Sequence, residues 1–304
     1  MLWLFVIISA YFIFAVNSLI DNYLLAGPPN PKSYAFYVGL LGGAVLILAP
    51  FVGFSIPSKT QIFLSLVAGS CYIIALFCLY TGLEYFEPSR IIPAIGGILP
   101  LFTFLLVFIL SKGEAILAGK GILAFFLLII GSILISLEEK KRISLGSFKI
   151  SLLSAFFFAL TFVLSKYIYL NQPFWPGFIW MRIGGVLCAL CFLLSIKFRR
   201  EIFSGKLSFQ QKTTPLFLAN QGAGAAGFIL QNFAISLAGL SYLPFINALQ
   251  GVQYVFLFFL AIIFSRKFPL ASEEKLTKRN LLQKIISIGI IGTGLAILAF
   301  SRFL

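Results

Sequence analysis

Ten stretches of this sequence run for roughly twenty residues each with hardly a charge, and they constrain the fold more than any other feature. They cover about 2–20, 34–54, 61–82, 90–111, 116–136, 148–170, 174–197, 214–237, 242–265 and 283–303. A helix that crosses the hydrocarbon core of a bilayer needs about 20 mostly apolar residues. Lipid offers no hydrogen-bond partner, so each span must satisfy its own backbone, and a helix does this locally. Composition agrees. Of the 304 residues, 60% are apolar or aromatic and only 11% are charged, where a water-soluble domain carries about a quarter charged. The chain reads as an all-α integral membrane protein with ten transmembrane helices. The first run is not expected to be a signal peptide. It lacks a basic leader, and Ala15-Val16-Asn17 makes a poor cleavage site.

Residue types that are missing or scarce exclude much chemistry. There is no histidine, which removes Ser-His and Cys-His nucleophile pairs and histidine-containing metal sites. Asp21 is the single aspartate, so an intramembrane aspartyl dyad cannot form. Cys188 and Cys191 have CxxC spacing, but no second pair accompanies them. With Cys71 and Cys78 they read as small buried hydrophobes. No metal, no cofactor and no enzymatic activity are expected.

The net charge of +14 belongs to short loops between apolar runs. It reads as a topology signal and a match to anionic headgroups, with no role for nucleic acid. Loops after spans 1, 3, 5, 7 and 9 hold Lys32, Arg90, Lys140, Lys141, Arg142, Lys197, Arg199, Arg200, Arg266 and Lys267, among others. The opposite side holds Lys59, Lys112, Lys120 and Arg302. The positive-inside rule then puts both termini outside, in a plasma (inner) membrane.

The two halves echo each other. Segment 80–105 aligns without gaps on 233–258, placing Gly97 on Gln250, Pro100 on Gln253 and Phe102 on Val255. Ala124 and Gly131 are seven apart in span 5, as are Ser287 and Gly294 in span 10. Small residues at that spacing share one helix face and admit a close neighbour. The expected organisation is a five-helix repeat over 1–137, a polar linker over 138–147 and a second five-helix repeat over 148–304. Five is odd, so the second copy enters the membrane from the opposite side. Inverted repeats of this kind are a device of secondary transporters.

At these residues the chain resembles the EamA-type members of the drug/metabolite transporter superfamily. The resemblance rests on Gly82, Pro88-Ser89-Arg90, Pro93, Pro100-Leu101-Phe102, Lys112-Gly113-Glu114, Ala124, Gly131 and the matching 239–294 region. It covers most of the chain through the five-plus-five layout. It implies a transporter working by alternating access, with a central site lined by spans 1, 3, 4, 6, 8 and 9. There are departures. Gln253 replaces the proline of span 4, and Ser265-Arg266-Lys267 stands where the first half has its Gly-Glu turn. The family usually has cytoplasmic termini, whereas this charge count reads the reverse.

Polar groups at membrane depth are costly and need partners or water. Span 9 is richest. Asn247, Gln250, Gln253 and Tyr254 fall on about a third of the helix circumference at 100° per residue. They read as a cavity wall or as glue between helices. Span 8 contributes Gln221 and Gln231, flanking a Gly-Ala stretch from Gly222 to Gly227 that suits either a hinge or close helix contact. Asn17 and Tyr72 are the candidates in spans 1 and 3. Pro93, Gly96, Gly97 and Pro100 suit a kink in span 4, with freed carbonyls toward the cavity or a purely structural bend. Arg182 lies about two turns into span 7, where it could grip a carboxylate or phosphate, or satisfy loose carbonyls. Lys166 stands near the end of span 6 and can snorkel to the interface. None of the acids falls at mid-depth, which disfavours cation–proton exchange. The reading is a transporter of a small polar metabolite, an amino acid or a relative, moved in the export direction. The rivals are a membrane enzyme on lipid-linked substrates, built on Glu84, Glu87 and Arg90, and a passive channel.

Overall fold

The computed structural model describes residues 2–24, 31–86, 88–113, 119–136, 145–196, 198–200, 214–264 and 278–300. The expectations placed on Glu87, on Glu114 and on most of the 138–147 linker lie outside these residues. So do the side chains of Asp21 and Arg90. The described residues form helices and turns, with no strand among them. The α-helices are α1 (Leu2–Leu24), α2 (Pro31–Gly42), α3 (Lys59–Tyr85), α4 (Pro88–Leu110), α5 (Lys120–Ser136) and α6 (Leu145–Asn171). They continue as α7 (Phe174–Cys191), α8 (Thr214–Leu237), α9 (Leu243–Ala248), α10 (Gln250–Phe264) and α11 (Lys278–Phe300).

Among the described residues, seven helical segments are long and apolar enough to cross a membrane: Leu2–Ile20, Lys59–Tyr85, Ile91–Leu110, Leu145–Asn171, Phe174–Leu194, Leu240–Ile263 and Asn280–Phe300. The surface suits that medium. Phe5, Ile47, Phe63, Leu145 and Phe300 are all exposed, a display of apolar area that water does not tolerate in a monomer. This fold is that of a multi-pass membrane protein in its coarse features. Expectation and structure differ over the count. Run 34–54 is only a short α-helix, continued by a 3₁₀ segment over Gly43–Phe51 with Pro50 inside it. Run 116–136 is described as a helix of 17 residues, and run 214–237 as α8. Run 242–265 also departs from a single helix. It divides at Leu249, where the chain tightens from an i→i+4 to an i→i+3 bond, with Val252 donating to the Leu249 carbonyl at 2.9 Å.

Helix ends follow local chemistry. The Ser58 hydroxyl accepts from the Gln61 amide at 3.4 Å and caps α3. Prolines open α2 and α4, where a missing N–H costs nothing. The end of α4 is a Schellman turn: the Gly113 amide donates to the Phe108 carbonyl and the Lys112 amide to that of Ile109. Lys112 takes φ +53° there and Gly113 φ +83°. That geometry explains the glycine of the Lys112-Gly113 pair.

Pairs of helices build the bundle. α3 lies against both α6 and α7, and α1 against both α8 and α10. α5 pairs with α11, α2 with α7, and α4 with α6 and α9. Small residues set the closest approaches. A Cβ on Gly131 would stand 2.6 Å from Cγ1 of Ile291, and one on Gly294 would stand 3.1 Å from Cγ of Leu128. The partners run in reverse order along the two helices, as antiparallel packing requires. The tightest seam joins α3 and α7. A Cβ on Gly69 would strike the Met181 carbonyl, and one on Gly184 the Leu66 carbonyl. Backbone touches backbone there because neither position carries a side chain.

Candidate functional site

The α3–α7 seam opens on one side into a small, partly open pocket. Ala68, Gly69 and Tyr72 of α3 form one wall, and Thr161 and Ser165 of α6 another. Phe178, Met181, Arg182 and Gly185 come from α7, and Phe228 and Asn232 from α8. Helix periodicity puts these residues together. Phe178, Arg182 and Gly185 share a face of α7, as Gly224, Phe228 and Asn232 share a face of α8.

Arg182 is the cation of this pocket. Its guanidinium carbon lies 3.8 Å from the centroid of the Phe228 ring, 5.2 Å from that of Phe178 and 5.5 Å from that of Tyr72. Each distance is within reach of a cation–π attraction. Gly42 of α2 leaves room for the side chain. A Cβ there would stand 3.3 Å from a guanidinium nitrogen. Among the described residues no carboxylate pairs with Arg182. Of the nine acidic residues, only Glu84 has a described side chain, and it is exposed.

The polar atoms of the wall are mostly committed to protein partners. Thr161 Oγ1 donates to the Phe157 carbonyl at 2.9 Å, and Ser165 Oγ to that of Thr161 at 2.7 Å. Asn232 Nδ2 donates to the Phe228 carbonyl at 3.0 Å, while its Oδ1 accepts from the Tyr169 hydroxyl at 3.0 Å. These bonds fix the wall and leave its hydroxyl and amide oxygens with lone pairs to spare. The chemistry on offer is a fixed cation, ring faces and weak acceptors. It suits binding. Among the described residues no nucleophile with a base beside it lines the wall, and no group of three His, Cys, Asp or Glu could hold a metal.

The structure brings two of the expected site residues together, Tyr72 and Arg182. It distributes the others along different helix contacts. Asn17 Nδ2 donates to the Asn220 carbonyl at 2.9 Å, and Asn220 Nδ2 returns a bond to the Asn17 carbonyl at 3.4 Å, clasping α1 to α8. Asn247 is buried and donates to Thr103 Oγ1 of α4 at 2.7 Å. Gln253 Nε2 donates to Ser18 Oγ of α1 at 3.4 Å. The Tyr11 phenol donates to the Ile246 carbonyl at 2.6 Å, and Gln231 is half-buried near it. Tyr254 packs beside that group against the largest apolar cluster. Gln221 and Gln250 are half-buried. Interhelical bonding is thus what most of these amides do.

Other expected features take definite places. α4 runs through Pro93 and Pro100 without interruption. Gly97 admits Ile133 of α5, whose Cδ1 would be 2.6 Å from a Cβ, and Gly96 faces Ser132. The glycines of α8 at 224 and 227 admit Asn17 and Phe14 of α1, whereas Gly222 meets nothing. Lys166 does not snorkel. It is 3% exposed and its Nζ donates to the Ser236 carbonyl at 3.0 Å, in the last turn of α8, where a cation complements loose carbonyls. Trp180 stacks on Phe54 at 5.9 Å and donates to the Ser55 carbonyl at 3.2 Å, away from the pocket. Cys71 and Cys78 are buried as expected, but Cys188 is half-buried and Cys191 exposed, all four without a disulfide. Sequence reasoning missed Phe178, Phe228, Thr161, Ser165 and Asn232 as the Arg182 surround. Phe178 alone carried a signal, since it stands one turn before Arg182 on the same helix.

No protein-family model matches the chain, and no curated protein matches it. Solved structures do. One crystal structure, described only as that of a protein, covers 99% of this chain and 99% of its own with a TM-score of 0.68 at 16% identity. Likeness at that identity shows a shared whole-chain fold and carries no function with it.

Proposed function

We propose that this chain is a secondary transporter of the drug/metabolite type, with ten spans arranged as two inverted five-helix halves. It moves a small polar metabolite, an amino acid or a related compound, in the export direction by alternating access. It does so in a plasma (inner) membrane with both termini outside. The observation that carries this reading is the Arg182 pocket. It lies between α3 of the first half and α6, α7 and α8 of the second, with a cation, ring faces and, among the described residues, no acid in its wall.

The lengths of the remaining helical stretches support ten crossings. α2 with its 3₁₀ continuation extends about 36 Å, since a 3₁₀ turn rises about 2.0 Å per residue against 1.5 Å in an α-helix. α8 is about as long, and α5 at about 26 Å needs only local thinning of the bilayer. Helix packing supports the inverted repeat. If α1 to α5 correspond to α6, α7, α8, α9 with α10, and α11, the α3–α6 contact has its mate in α8–α1. The α4–α6 contact has its mate in α10–α1, while α5–α11, α2–α7 and α4–α9 lie on the axis. Gly131 against Ile291 and Gly294 against Leu128 are likewise each other's image, whereas α3–α7 has no counterpart of similar extent between α8 and α2 among the described residues.

Counterflow in proteoliposomes tests the proposal. Vesicles loaded with one amino acid or small organic acid should take up its labelled form, with saturation and trans-stimulation. Flux that rises linearly with concentration and shows no trans-stimulation makes the protein a channel. Consumption of a lipid-linked substrate, lost on substitution of Glu84 and Glu87, makes it an enzyme. Either result ends the transporter reading.

A further inference from the structure

We infer that the Arg182 pocket binds one carboxylate group, carried by a small water-soluble monoanion with a flat or branched apolar body. The inference rests on the transporter reading for the ligand's passage and deepens it by naming the ligand's chemistry.

The guanidinium decides the charge. A guanidinium has faces, which rings cover well, and five N–H donors around its edge, which rings serve poorly. Phe228 at 3.8 Å is in contact with the guanidinium carbon. None of the described residues accepts a hydrogen bond from Arg182 or brings it a negative charge. The hydroxyl hydrogens of Thr161 and Ser165 and one of the two amide hydrogens of Asn232 are already spent on backbone carbonyls. The half-buried cation of the wall therefore keeps unspent donors. Two oxygens in one plane match its fork, which is the geometry of a carboxylate.

Lys166 limits the ligand to a single charge. It is the other cation placed inside a span, but its Nζ is held by the Ser236 carbonyl and it does not line the pocket. A phosphate dianion would leave one charge uncompensated among apolar side chains, a costly arrangement. The rest of the wall selects the body. Phe178, Met181 and Phe228 offer rings and a thioether to a flat or branched group.

The test uses the full chain in phosphatidylcholine nanodiscs, with benzoate as the probe and titration calorimetry as the readout. Benzyl alcohol supplies the neutral analogue, phenyl phosphate the dianion and oleate a carboxylate delivered from the bilayer. Benzoate should bind saturably and better than all three. Arg182→Gln should weaken it on the order of tenfold to a hundredfold, the loss of a charge-assisted pair. Arg182→Lys should fall between, because it keeps the charge and loses the fork. If Arg182→Gln does not fold, the ranking of the four probes on the native protein decides. Benzyl alcohol or phenyl phosphate binding as tightly as benzoate overturns the inference, and so does benzoate binding unchanged in Arg182→Gln. Tighter binding of oleate overturns the small water-soluble ligand. Counterflow separates the two claims. Arg182-dependent benzoate binding without saturable flux of any solute keeps the site and removes the transporter. Saturable counterflow of a neutral solute that survives Arg182→Gln keeps the transporter and removes the site.

Discussion

Gly69→Ala puts the α3–α7 seam, and with it the shape of the Arg182 pocket, to a direct test. The added Cβ would strike the Met181 carbonyl and stand 2.7 Å from the Gly185 amide nitrogen and 2.9 Å from the Met181 carbonyl carbon. All three are backbone atoms, so no rotamer change relieves the clash and the helices must part. Overpacking costs about 1–3 kcal/mol where side chains can yield; a rigid seam puts this case at the upper end, about 3 kcal/mol. Alanine returns about 1 kcal/mol of helix propensity, leaving a net loss of about 2 kcal/mol. Gly222→Ala is the matched control. It lies inside α8 with nothing within 4 Å of a Cβ, so it keeps the propensity gain of about 1 kcal/mol without the clash. At about 2 °C per kcal/mol for a chain of this size, the two variants should melt about 6 °C apart. Thermal unfolding followed by tryptophan fluorescence in one detergent measures the gap. Gly69 also lines the pocket, so parting the seam should weaken benzoate binding as well. Equal melting temperatures for the two variants would refute the backbone-to-backbone seam.

Two further predictions concern polar residues that bind helices to each other. Asn17→Ala and Asn220→Ala should each cost about 0.6–1.7 kcal/mol of unfolding free energy, the range for hydrogen bonds between membrane helices, and the losses should add in the double variant because each amide donates to a backbone carbonyl that alanine keeps; single variants as stable as the parent would show that the clasp does not form. Thr103→Val should cost about 1–3 kcal/mol by stranding the buried Asn247 amide, and adding Asn247→Leu should restore most of it; a double variant as unstable as the sum of its parts would count against the pair.

Much of the fold was legible because a span's requirements are local. An apolar run must close its own backbone bonds, so the described residues of these runs are mainly helical, seven of them over a length that can cross a membrane, and Ser58, Pro88 and Gly113 mark ends for reasons confined to a few residues. Arg182 was legible for the same reason: a cation amid apolar residues stands out in one dimension. Its surround was not. Phe228 and Tyr72 reach it from other helices, and phenylalanine is so common in this chain that no single one stands out.

The amides of span 9 show where the sequence ran out. On a helix in water, apolar periodicity tells inside from outside. In lipid both faces are apolar, because acyl chains and a protein interior present the same chemistry to a side chain. The sequence could place Asn247, Gln253 and Tyr254 on a common arc but could not say what that arc faced. Only tertiary structure turned Asn247 to Thr103 and Gln253 to Ser18, and gave the pocket to Arg182. Helix formation was determined by the sequence because the backbone must be satisfied within each segment. Helix rotation and partnership were decided in three dimensions, where close contact between glycines such as Gly69 and Gly184 and the backbones facing them selects one arrangement.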